Sequence, residues 1–321
     1  MNNSVKISVC IPVYGVEKYI ERCARSLFEQ TLKDGIEFIF VNDCTPDKSI
    51  EVLEKVLNEY PHRKDQVKII NHAQNCGLVS ARKTSLEHAV GDYIVHCDSD
   101  DWCDPNLYEA MYNVAVENDA DMVCCSHILE YESGKRIFVT VKKSASAGEY
   151  IQKHLQGNFF SLCTKLCKRS IVFRENFVFL DHIVLGEDLL RCSQMFSVVK
   201  KIAFCENSYY HYFRGNTASI TRNTTEGELL QLVEIVNILN DISFKEFPAF
   251  LSWLKGIVLF ESLKTTGFSQ AKYWKLFGWK FHFRVLFLKE ISFLKRMFIL
   301  FANISFPLAN RTCRMLFKFR R

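Results

Sequence analysis

The chain has 321 residues, of which 48% are hydrophobic, and a formal net charge of +5 at pH 7. This composition excludes a globally disordered protein, and the length suits two domains or one large domain with an appendage. The charge is uneven, because the last forty residues are rich in Lys and Arg and contain one acidic residue, Glu290. Such a tail indicates an anionic partner surface, either a membrane or a nucleic acid.

The thirteen cysteines are scattered, without a C-x-x-C pair or a Cys/His cluster at zinc spacing. Their odd number and the absence of an apolar N-terminal segment favour free thiols in a reducing cytoplasm, mostly as small buried hydrophobes. No run of about 18 apolar residues occurs, so we expect no membrane-spanning helix.

In chain order, strands alternate with helices up to residue 97. Apolar residues at Val16, Ile20, Cys23 and Leu27 recur at helical spacing, for example. The expected strands are 6–11 (ended by Pro12), 37–41, 67–70 and 93–97, and the expected helices are 16–29, one around 50–57, and 78–90. Strands that alternate with helices in this way predict an α/β fold with a mainly parallel sheet.

Three aspartates, Asp98, Asp100 and Asp101, follow directly after the fourth expected strand. Carboxylates this close repel one another unless a cation or several donors neutralise them, and Mg²⁺ or Mn²⁺ suits that role. The alternative is an acidic loop in which Asp101 caps the next helix.

Ligands of parallel sheets bind beyond the carboxyl ends of the strands. Four successive strand ends deliver polar residues there, which favours a metal and nucleotide site over the acidic loop: Tyr14, Glu17, Asn42, Asp43, Asn75, Arg82 and 98–101. No G-x-G-x-x-G follows the first strand and no P-loop motif occurs, so neither a dinucleotide fold nor a P-loop is supported.

The second half of the chain is less regular. A helix is expected from Asp104 and Pro105 to about 118, a strand at 121–126, a hairpin around Gly134, a helix at 148–155 and a strand at 208–213. The segment 163–174 carries a basic cluster, and Gly186 begins a helix to about 199. Glu187 and Asp188 at that helix start have an ordinary local explanation, because acidic residues are common in a first helical turn.

From Glu226 the pattern is helical, with helices expected at 226–242 and 247–264 and a Phe-rich basic tail from 270. Basic amphipathic helices with Phe and Trp on the apolar side lie in membrane interfaces. An ordinary helical cap on the preceding domain is the alternative. Nucleic-acid binding is a weaker third reading, because no known module accompanies the charge.

Five ordered motifs, VCIPVYGVEKYI, FIFVNDCTPD, NCGLVSARK, GDYIVHCDSDD and GED, resemble those of the family 2 glycosyltransferases. The resemblance covers about residues 4–220. It implies a GT-A (nucleotide-diphospho-sugar transferase) fold, Rossmann-like with a mainly parallel sheet, and inverting transfer from a nucleotide-activated sugar. The implied domains are a catalytic domain at 1–222, with a nucleotide-sugar half at 1–127 and an acceptor half at 128–222, and a helical C-terminal extension at 223–321.

The resemblance also implies roles for the donor site. The Pro12-Val13-Tyr14 turn would hold the nucleobase, with Tyr14 stacked on it, and Asp43 would accept from the base imide N–H. Arg82 would lie against the pyrophosphate, unless it is a surface helix residue. The family usually has two Asp where this chain has Asn42 and Asp43, so the role of Asn42 is less defined. The whole expected nucleotide-sugar set is Pro12, Val13, Tyr14, Glu17, Asn42, Asp43, Asn75, Arg82, Asp98 and Ser99.

For the metal, the resemblance implies that Asp100 ligates Mn²⁺ or Mg²⁺ directly while Asp98 contacts the ribose or a metal-bound water. Asp101 would support these ligands or act as a cap. His211 stands where some relatives place a histidine near the metal, with a satisfied histidine in an aromatic cluster as the alternative.

The remaining roles are those of the base and the surrounding loops. Asp188 would be the catalytic base and Glu187 would orient it or the acceptor. Lys165 faces the donor or acceptor, or lies in a solvated basic turn. Arg214 and Ser219 border a loop that could close over the donor.

These observations predict a metal-dependent inverting glycosyltransferase. It would move a hexose-type residue from a nucleotide sugar, most simply UDP-linked, to a hydroxyl of a lipid-linked glycan acceptor in bacterial surface polysaccharide assembly. We expect it to be cytoplasmic, peripheral at the inner face of the cell membrane, and to bind no nucleic acid. A nucleotidyltransferase is one alternative, although the Gly-rich basic loop expected of it is missing. A non-catalytic scaffold that binds a nucleotide sugar is the other, and the intact Asp98, Asp100 and Asp188 weigh against it.

Overall fold

A computed structural model describes residues 4–153, 160–216, 225–241 and 247–317. The chain forms two compact units. The sheet unit comprises the described residues of 4–150, 160–182 and 198–216, and the helical unit comprises those of 151–153, 183–197, 225–241 and 247–317. The segment 183–197 thus belongs to the helical unit, whereas the sequence-based division placed it in the acceptor half of a catalytic domain. That division stays a prediction.

The sheet unit is built on one sheet. Within the described residues its strands are β1 (Ile7–Val13), β2 (Ile36–Asn42), β3 (Val67–Asn71), β4 (Tyr93–His96), β5 (Trp102–Cys103), β6 (Met122–Glu130), β7 (Arg136–Val139), β8 (Lys165–Lys168) and β9 (Ile202–Phe213). Their spatial order is β3-β2-β1-β4-β8-β6-β9-β5, and β7 pairs with β6. The pairs among β1 to β4 and the pair β6–β9 are parallel, and the pairs that involve β5, β7 and β8 are antiparallel.

The described helices are α1 (Ile20–Phe28), α2 (Ser49–Glu59), α3 (Leu78–Glu87), α4 (Leu107–Glu117), α5 (Ala147–Lys153), α6 (Arg169–Val172), α7 (Glu187–Phe196), α8 (Glu226–Asp241), α9 (Pro248–Ser262), α10 (Gln270–Lys275), α11 (Trp279–Arg284), α12 (Phe293–Ile304) and α13 (Phe306–Phe317). The alternation of β1 to β4 with α1 to α3 confirms the predicted α/β arrangement.

Burial explains why these segments form a layered sheet. All seven residues of β1 are buried, as expected of a central parallel strand covered on both faces. The helix α1 buries one stripe, which includes Ile20, Cys23, Leu27 and Phe28. Each large apolar side chain on such a stripe contributes about 1.5–3 kcal/mol when it is removed from water.

Several boundaries differ from the sequence-based expectation. The strand β1 continues through Pro12, which lies beyond the last residue that pairs with β4. The proline therefore removes no hydrogen bond to that neighbour. The helix α4 begins at Leu107 and not at Asp104. The hairpin at Gly134 is confirmed, with β6 and β7 antiparallel and Gly134 at φ +80°.

The interpretation of Lys165 as part of a solvated basic turn is wrong. Residues 165–168 form β8, which pairs with β4 and β6. The Lys165 side chain is 2% exposed, and its Nζ donates to the Ser161 carbonyl at 2.7 Å. Short strands of this kind lack the length that makes alternation visible in a sequence.

The helical unit has an apolar core of its own. Buried residues line its helices, among them Ile235, Leu259, Ile299 and Phe306. The Tyr273 hydroxyl donates to the Ile299 carbonyl at 2.8 Å, which ties α10 to α12. No helix in the described part of the chain is both long and apolar enough to cross a bilayer.

Candidate functional site: a carboxylate loop and a nucleotide-type turn at the sheet edge

Tyr14, Asp43 and Asp98 of the predicted site follow three neighbouring parallel strands. In the register of the sheet, Val13 on β1 lies beside Asn42 on β2, and Cys10 on β1 lies beside His96 on β4. The carboxyl ends of these strands meet at one edge, so the structure places the segments that begin at Tyr14, Asp43 and Asp98 along the same side of the sheet.

The turn after β1 is fixed to the turn after β2 by hydrogen bonds. The Gly15 N–H donates to Thr45 Oγ1 at 2.9 Å, and the Lys48 N–H donates to Glu17 Oε2 at 3.1 Å. Tyr14 lies at the tip of its turn with 49% of its surface exposed. An aromatic ring held open in this way can stack on a planar ligand.

Asp43 is buried and organises the loop before α3. Its Oδ1 accepts from the Cys76 N–H at 2.8 Å, and its Oδ2 accepts from the Gly77 N–H at 2.7 Å. His72 Nδ1 lies 2.7 Å from the same Oδ1.

The two asparagines of the predicted set are local turn residues in this structure. The Asn42 Oδ1 accepts from the Thr45 N–H at 2.9 Å, and the Asn75 Oδ1 accepts from the Gly77 N–H at 3.0 Å. Both side chains therefore shape the backbone beside Asp43.

Arg82 is buried on α3, so the interpretation as a surface helix residue is wrong. Its Nη2 donates to Asp98 Oδ1 at 2.7 Å. This ion pair brings the predicted diphosphate residue to the carboxylate loop. A planar guanidinium in this position can share its charge between a carboxylate and a phosphate oxygen.

The loop 98–101 is held by hydrogen bonds from β9. Asp101 is fully buried, and its oxygens accept from the Phe213 N–H at 2.7 Å and from the Tyr210 hydroxyl at 2.6 Å. The Tyr210 hydroxyl in turn accepts from the Asp98 N–H at 3.1 Å. Asp101 is therefore a structural anchor for the loop, and the interpretation as a helix cap is wrong, because α4 begins at Leu107.

Asp100 lies in a strongly negative environment. Burial and the neighbouring Asp98 raise the pKa of its carboxyl to about 6. Burial, with Asp100 and Asp98 as further causes, also raises the pKa of Asp101 well above its usual range. The Asn216 side-chain N–H donates to Asp100 Oδ2 at 2.8 Å.

The donor set of this loop fits a hard divalent cation. Asp98 and Asp100 offer carboxylate oxygens, and a positive ion there would relieve the repulsion that raises the pKa of Asp100. In Mg²⁺ and Mn²⁺ sites of this kind the protein usually supplies one or two carboxylates, and the other ligands are water and phosphate oxygens. Ser99, between the two acids, is buried.

His211 has both ring nitrogens engaged. Its Nδ1 lies 2.8 Å from Glu130 Oε1, and its Nε2 lies 2.9 Å from Asp104 Oδ1. The ring also stacks on Trp102, with centroids 5.0 Å apart. A metal would have to displace one of these carboxylates. The role of His211 as a metal ligand therefore stays a prediction that this geometry does not favour, and the alternative of a satisfied histidine fits the contacts.

Glu187 and Asp188 lie in the helical unit, in the first turn of α7. Gly186 precedes them at φ +90°, and a Cβ there would come within 2.8 Å of Leu232, so this turn requires glycine. The backbone just before it is fixed by Gln231, whose Oε1 accepts from the Val184 N–H at 2.9 Å. Ser219 lies outside the described residues.

Three supporting side chains had no signal in the sequence. Arg22 on α1 donates from Nη2 to the Asp100 carbonyl at 2.9 Å. Tyr210 and Asn216 bind the carboxylate loop from β9 and from the segment after it. These contacts join residues far apart in the chain, and no local pattern records such pairs.

The fold and the site together define a GT-A type protein. The described structure superposes on the Staphylococcus aureus protein TarS, residues 1–349, solved in complex with UDP and with UDP-GlcNAc, with a TM-score of 0.71 and 20% identity. The alignment covers 98% of this chain and 92% of the UDP complex. At this identity the likeness establishes the fold.

The sequence comparisons establish the family. The model for glycosyl transferase family 2 matches residues 8–173, which is more than half of the chain, and the chain belongs to that family. An uncharacterized glycosyltransferase of Bacillus subtilis, EpsJ, is 31% identical over 67% of this chain. A poly(ribitol-phosphate) beta-glucosyltransferase of Bacillus spizizenii is 29% identical over 65% of it. The chain spans 62% of the first relative's length and 32% of the second's.

Proposed function

We propose that the protein is a metal-dependent inverting glycosyltransferase that takes its sugar from a UDP-linked donor. The observation that carries the proposal is the cluster of Asp98, Asp100 and Arg82 at the carboxyl edge of the parallel sheet. Its charges match those of a diphosphate with a divalent cation. The donor class rests on the TarS complexes with UDP and UDP-GlcNAc, which share this fold.

In this proposal the exposed Tyr14 stacks on the uracil, and Asp43 accepts from its imide N–H. Asp43 Oδ2 carries one hydrogen bond in the described structure, from Gly77, and so keeps capacity for a second donor. Arg82 and the Asp98–Asp100 pair then hold the diphosphate end. A bound Mn²⁺ or Mg²⁺ would neutralise the charge that develops on the leaving diphosphate.

The transfer itself is an in-line displacement. The acceptor hydroxyl oxygen forms a bond to C1 of the sugar, the bond between C1 and the phosphate oxygen breaks, and UDP leaves with that electron pair. We assign the hydroxyl proton to the Asp188 carboxylate and an orienting role to Glu187, on the family resemblance of the GED motif. Both residues are half-buried at the start of α7.

Slow hydrolysis of the donor tests the proposal without a known acceptor. A panel of nucleotide sugars is incubated with the full chain, with and without Mn²⁺, for the wild type, Asp100→Ala and Asp188→Asn. Asp65→Asn is the control, because Asp65 is an exposed acid that just precedes β3 and so lies at the amino ends of the parallel strands, opposite the carboxylate loop. We expect metal-dependent turnover of one donor, lost in both site variants and kept in the control, with nucleotide binding retained in Asp188→Asn.

The same experiment separates the alternatives. Metal-dependent UDP-sugar binding without turnover in the wild type would favour a non-catalytic scaffold. Absence of any metal-dependent nucleotide-sugar binding would refute the donor site. A separate incubation with a nucleoside triphosphate and a sugar phosphate tests the third alternative, because release of pyrophosphate would indicate a nucleotidyltransferase.

We further propose that the acceptor is a membrane-associated glycan and that the helical unit binds the inner face of the membrane. Large apolar side chains lie exposed along its last helices, with Trp279 at 66% and Phe287 at 80%. The positive charges Lys280 and Arg284 lie on the same short helix as Trp279. Exposed aromatics beside basic residues suit an anionic interface. The named activity of the Bacillus spizizenii relative on poly(ribitol-phosphate) supports a surface-polymer acceptor.

Vesicle cosedimentation tests this surface. The full chain is mixed with vesicles of phosphatidylcholine alone or with 30% phosphatidylglycerol. We expect binding to the anionic vesicles that falls at least about tenfold in Trp279→Ser/Phe287→Ser. Phe138→Ser, an aromatic that is 57% exposed on the sheet unit, is the matched control and should bind as the wild type does. Equal binding by all three proteins would refute the surface.

A further inference from the structure

A second group of potential metal ligands lies at the turn after β2. Asp43, His72 and Cys76 each offer one ligand atom, and these atoms lie within 4.8 Å of one another. Among the residues that the structure describes, no other group of three or more His, Cys, Asp or Glu meets that distance. His72 and Cys76 lie four residues apart in the segment between β3 and α3, and Asp43 follows β2, so the sequence does not show the three residues as one group.

The ligands of this group are already oriented. The Asp43 carboxylate is fixed by the N–H groups of Cys76 and Gly77, and His72 Nε2 lies 2.9 Å from Thr84 Oγ1. A histidine that binds a metal through one ring nitrogen usually donates the other N–H to an oxygen, and Thr84 supplies that oxygen. Gly77 has φ +89°, which lets the loop present two consecutive N–H groups to one carboxylate.

The donor types select the metal. One carboxylate oxygen, one imidazole nitrogen and one thiolate sulfur form a mixed set that suits Zn²⁺ and not Mg²⁺ or Mn²⁺. Zinc bonds of about 2.0–2.3 Å place tetrahedral ligands roughly 3.3–3.8 Å apart, so the side chains need only small shifts. Cys76 is exposed, as is Cys44, while the other eleven cysteines are buried. An ion can therefore reach the sulfur from solvent.

We propose that Asp43, His72 and Cys76 form a zinc site that is distinct from the Asp98 and Asp100 carboxylates. Zinc takes the place of the hydrogen between Asp43 Oδ1 and His72 Nδ1. The ring then carries its hydrogen on Nε2, which donates to Thr84 Oγ1. The Cys76 thiol loses its proton to solvent, so each zinc that binds releases one proton when His72 starts neutral.

The position of the site predicts its effect. Asp43 is the residue to which the proposed function assigns the uracil imide. A zinc ion on Oδ1 shares that one carboxylate with an imide N–H on Oδ2, and the charge of the ion weakens the carboxylate as an acceptor, so zinc and the nucleobase oppose each other's binding. This consequence rests on the proposed function, whereas zinc binding itself does not. Zinc thus acts as an inhibitor that competes with the nucleoside end of the donor, while Mn²⁺ acts at the diphosphate end.

Zinc affinity is measured on the full chain in reducing buffer, by competition with a chromogenic chelator. Cobalt(II) serves as a second probe, because a thiolate ligand gives it a near-ultraviolet charge-transfer band. Loss of an outer partner of a metal site costs about 10–100-fold in affinity, so Thr84→Val should lose about that much. Cys76→Ser and His72→Gln, which remove ligands, should lose at least 100-fold. Cys44→Ser removes the other exposed thiol and keeps Cys76, so it is the matched control and should bind zinc as the wild type does.

Two outcomes overturn the site. One is unchanged zinc affinity in Cys76→Ser/His72→Gln, and the other is a loss in Cys44→Ser as large as that in Cys76→Ser. Circular dichroism of each variant shows that it is folded.

Uridine, which has no phosphate to chelate zinc, then tests the competition by ligand-observed NMR. Zinc that binds and displaces uridine supports both assignments. Zinc that binds without affecting uridine leaves the zinc site standing and overturns the placement of the nucleobase at Asp43.

Discussion

Arg22 offers a direct test of how the carboxylate loop is positioned. Its Nη2 donates to the Asp100 carbonyl at 2.9 Å. The guanidinium carbon lies 3.6 Å from the ring centroid of Trp102 and 4.6 Å from that of Phe213. A hydrogen bond from a charged group contributes about 1.5–3 kcal/mol, and each cation–π contact about 0.5–2 kcal/mol.

Replacement of Arg22 by Met keeps the apolar stem but removes these three contacts. Since neighbouring contributions do not add fully, we expect a loss of about 3 kcal/mol in the free energy of unfolding, measured by urea denaturation. Affinity for Mn²⁺ with UDP should fall about tenfold, because the Asp100 backbone loses its anchor. For Arg22→Lys, both the stability and the Mn²⁺ affinity should lie between those of the wild type and Arg22→Met, since Lys keeps the charge and loses the planar stack.

Arg25, one helical turn further along α1, is the matched control. Its ion pairs with Glu21 and Glu59 are exposed, with nitrogen–oxygen distances of 2.9 and 2.8 Å. Pairs of this kind contribute about 0–1 kcal/mol, so Arg25→Met should be nearly neutral. Equal destabilisation by the two Met variants would refute the anchoring role of Arg22. Unchanged Mn²⁺ affinity in Arg22→Met would refute its effect on the metal site.

Three further outcomes are expected. Arg63 is fully buried and donates to the carbonyls of Phe28 and Gln30 at 3.0 and 2.6 Å. Arg63→Met should therefore lower the free energy of unfolding, measured by urea denaturation, by about 3–5 kcal/mol, and a decrease under about 1 kcal/mol would contradict this. Gly91→Ala would place a Cβ 2.6 Å from the Ser8 backbone nitrogen and should lower the free energy of unfolding by about 2–4 kcal/mol. Gly134→Ala, with open space around it, should lower it by less despite the φ of +80°. Because the pKa of Asp100 is about 6 and the metal binds its ionised form, calorimetric Mn²⁺ affinity should rise about tenfold per pH unit up to pH 6 and then level off; a flat profile from pH 5 to 7 would exclude Asp100 as a ligand.

The part of the fold from β1 to β4 was predictable because it is repetitive. Apolar runs of strand length alternate with helical stripes from β1 to β4, and both patterns are local. The confirmed hairpin at Gly134 likewise follows from local turn chemistry. The two-residue strand β5 and the four-residue strand β8 were missed, because segments this short show no periodicity and owe their conformation to their sheet neighbours.

The candidate site was predictable as a set of residues but not as a network. Asp98, Asp100 and Arg82 could be named from the sequence, and the ion pair between Arg82 and Asp98 brings two of them together. The roles of Asp101 and His211 could not be predicted from the sequence. Each depends on partners that lie more than eighty residues away, as with Glu130 for His211.

The strand β9 explains why the carboxylate loop has a defined shape. Tyr210 and Phe213 on β9 bind Asp101, while the Tyr209 N–H donates to Asp104 Oδ2 at 2.8 Å. These contacts fix the chain on both sides of β5. The Tyr210 hydroxyl also accepts from the Asp98 N–H, so one strand holds both ends of the loop 98–101. The mutual repulsion of the aspartates would otherwise spread the loop apart. The geometry that a metal needs therefore forms only when β9 has joined the sheet, and the sequence GDYIVHCDSDD alone cannot supply it.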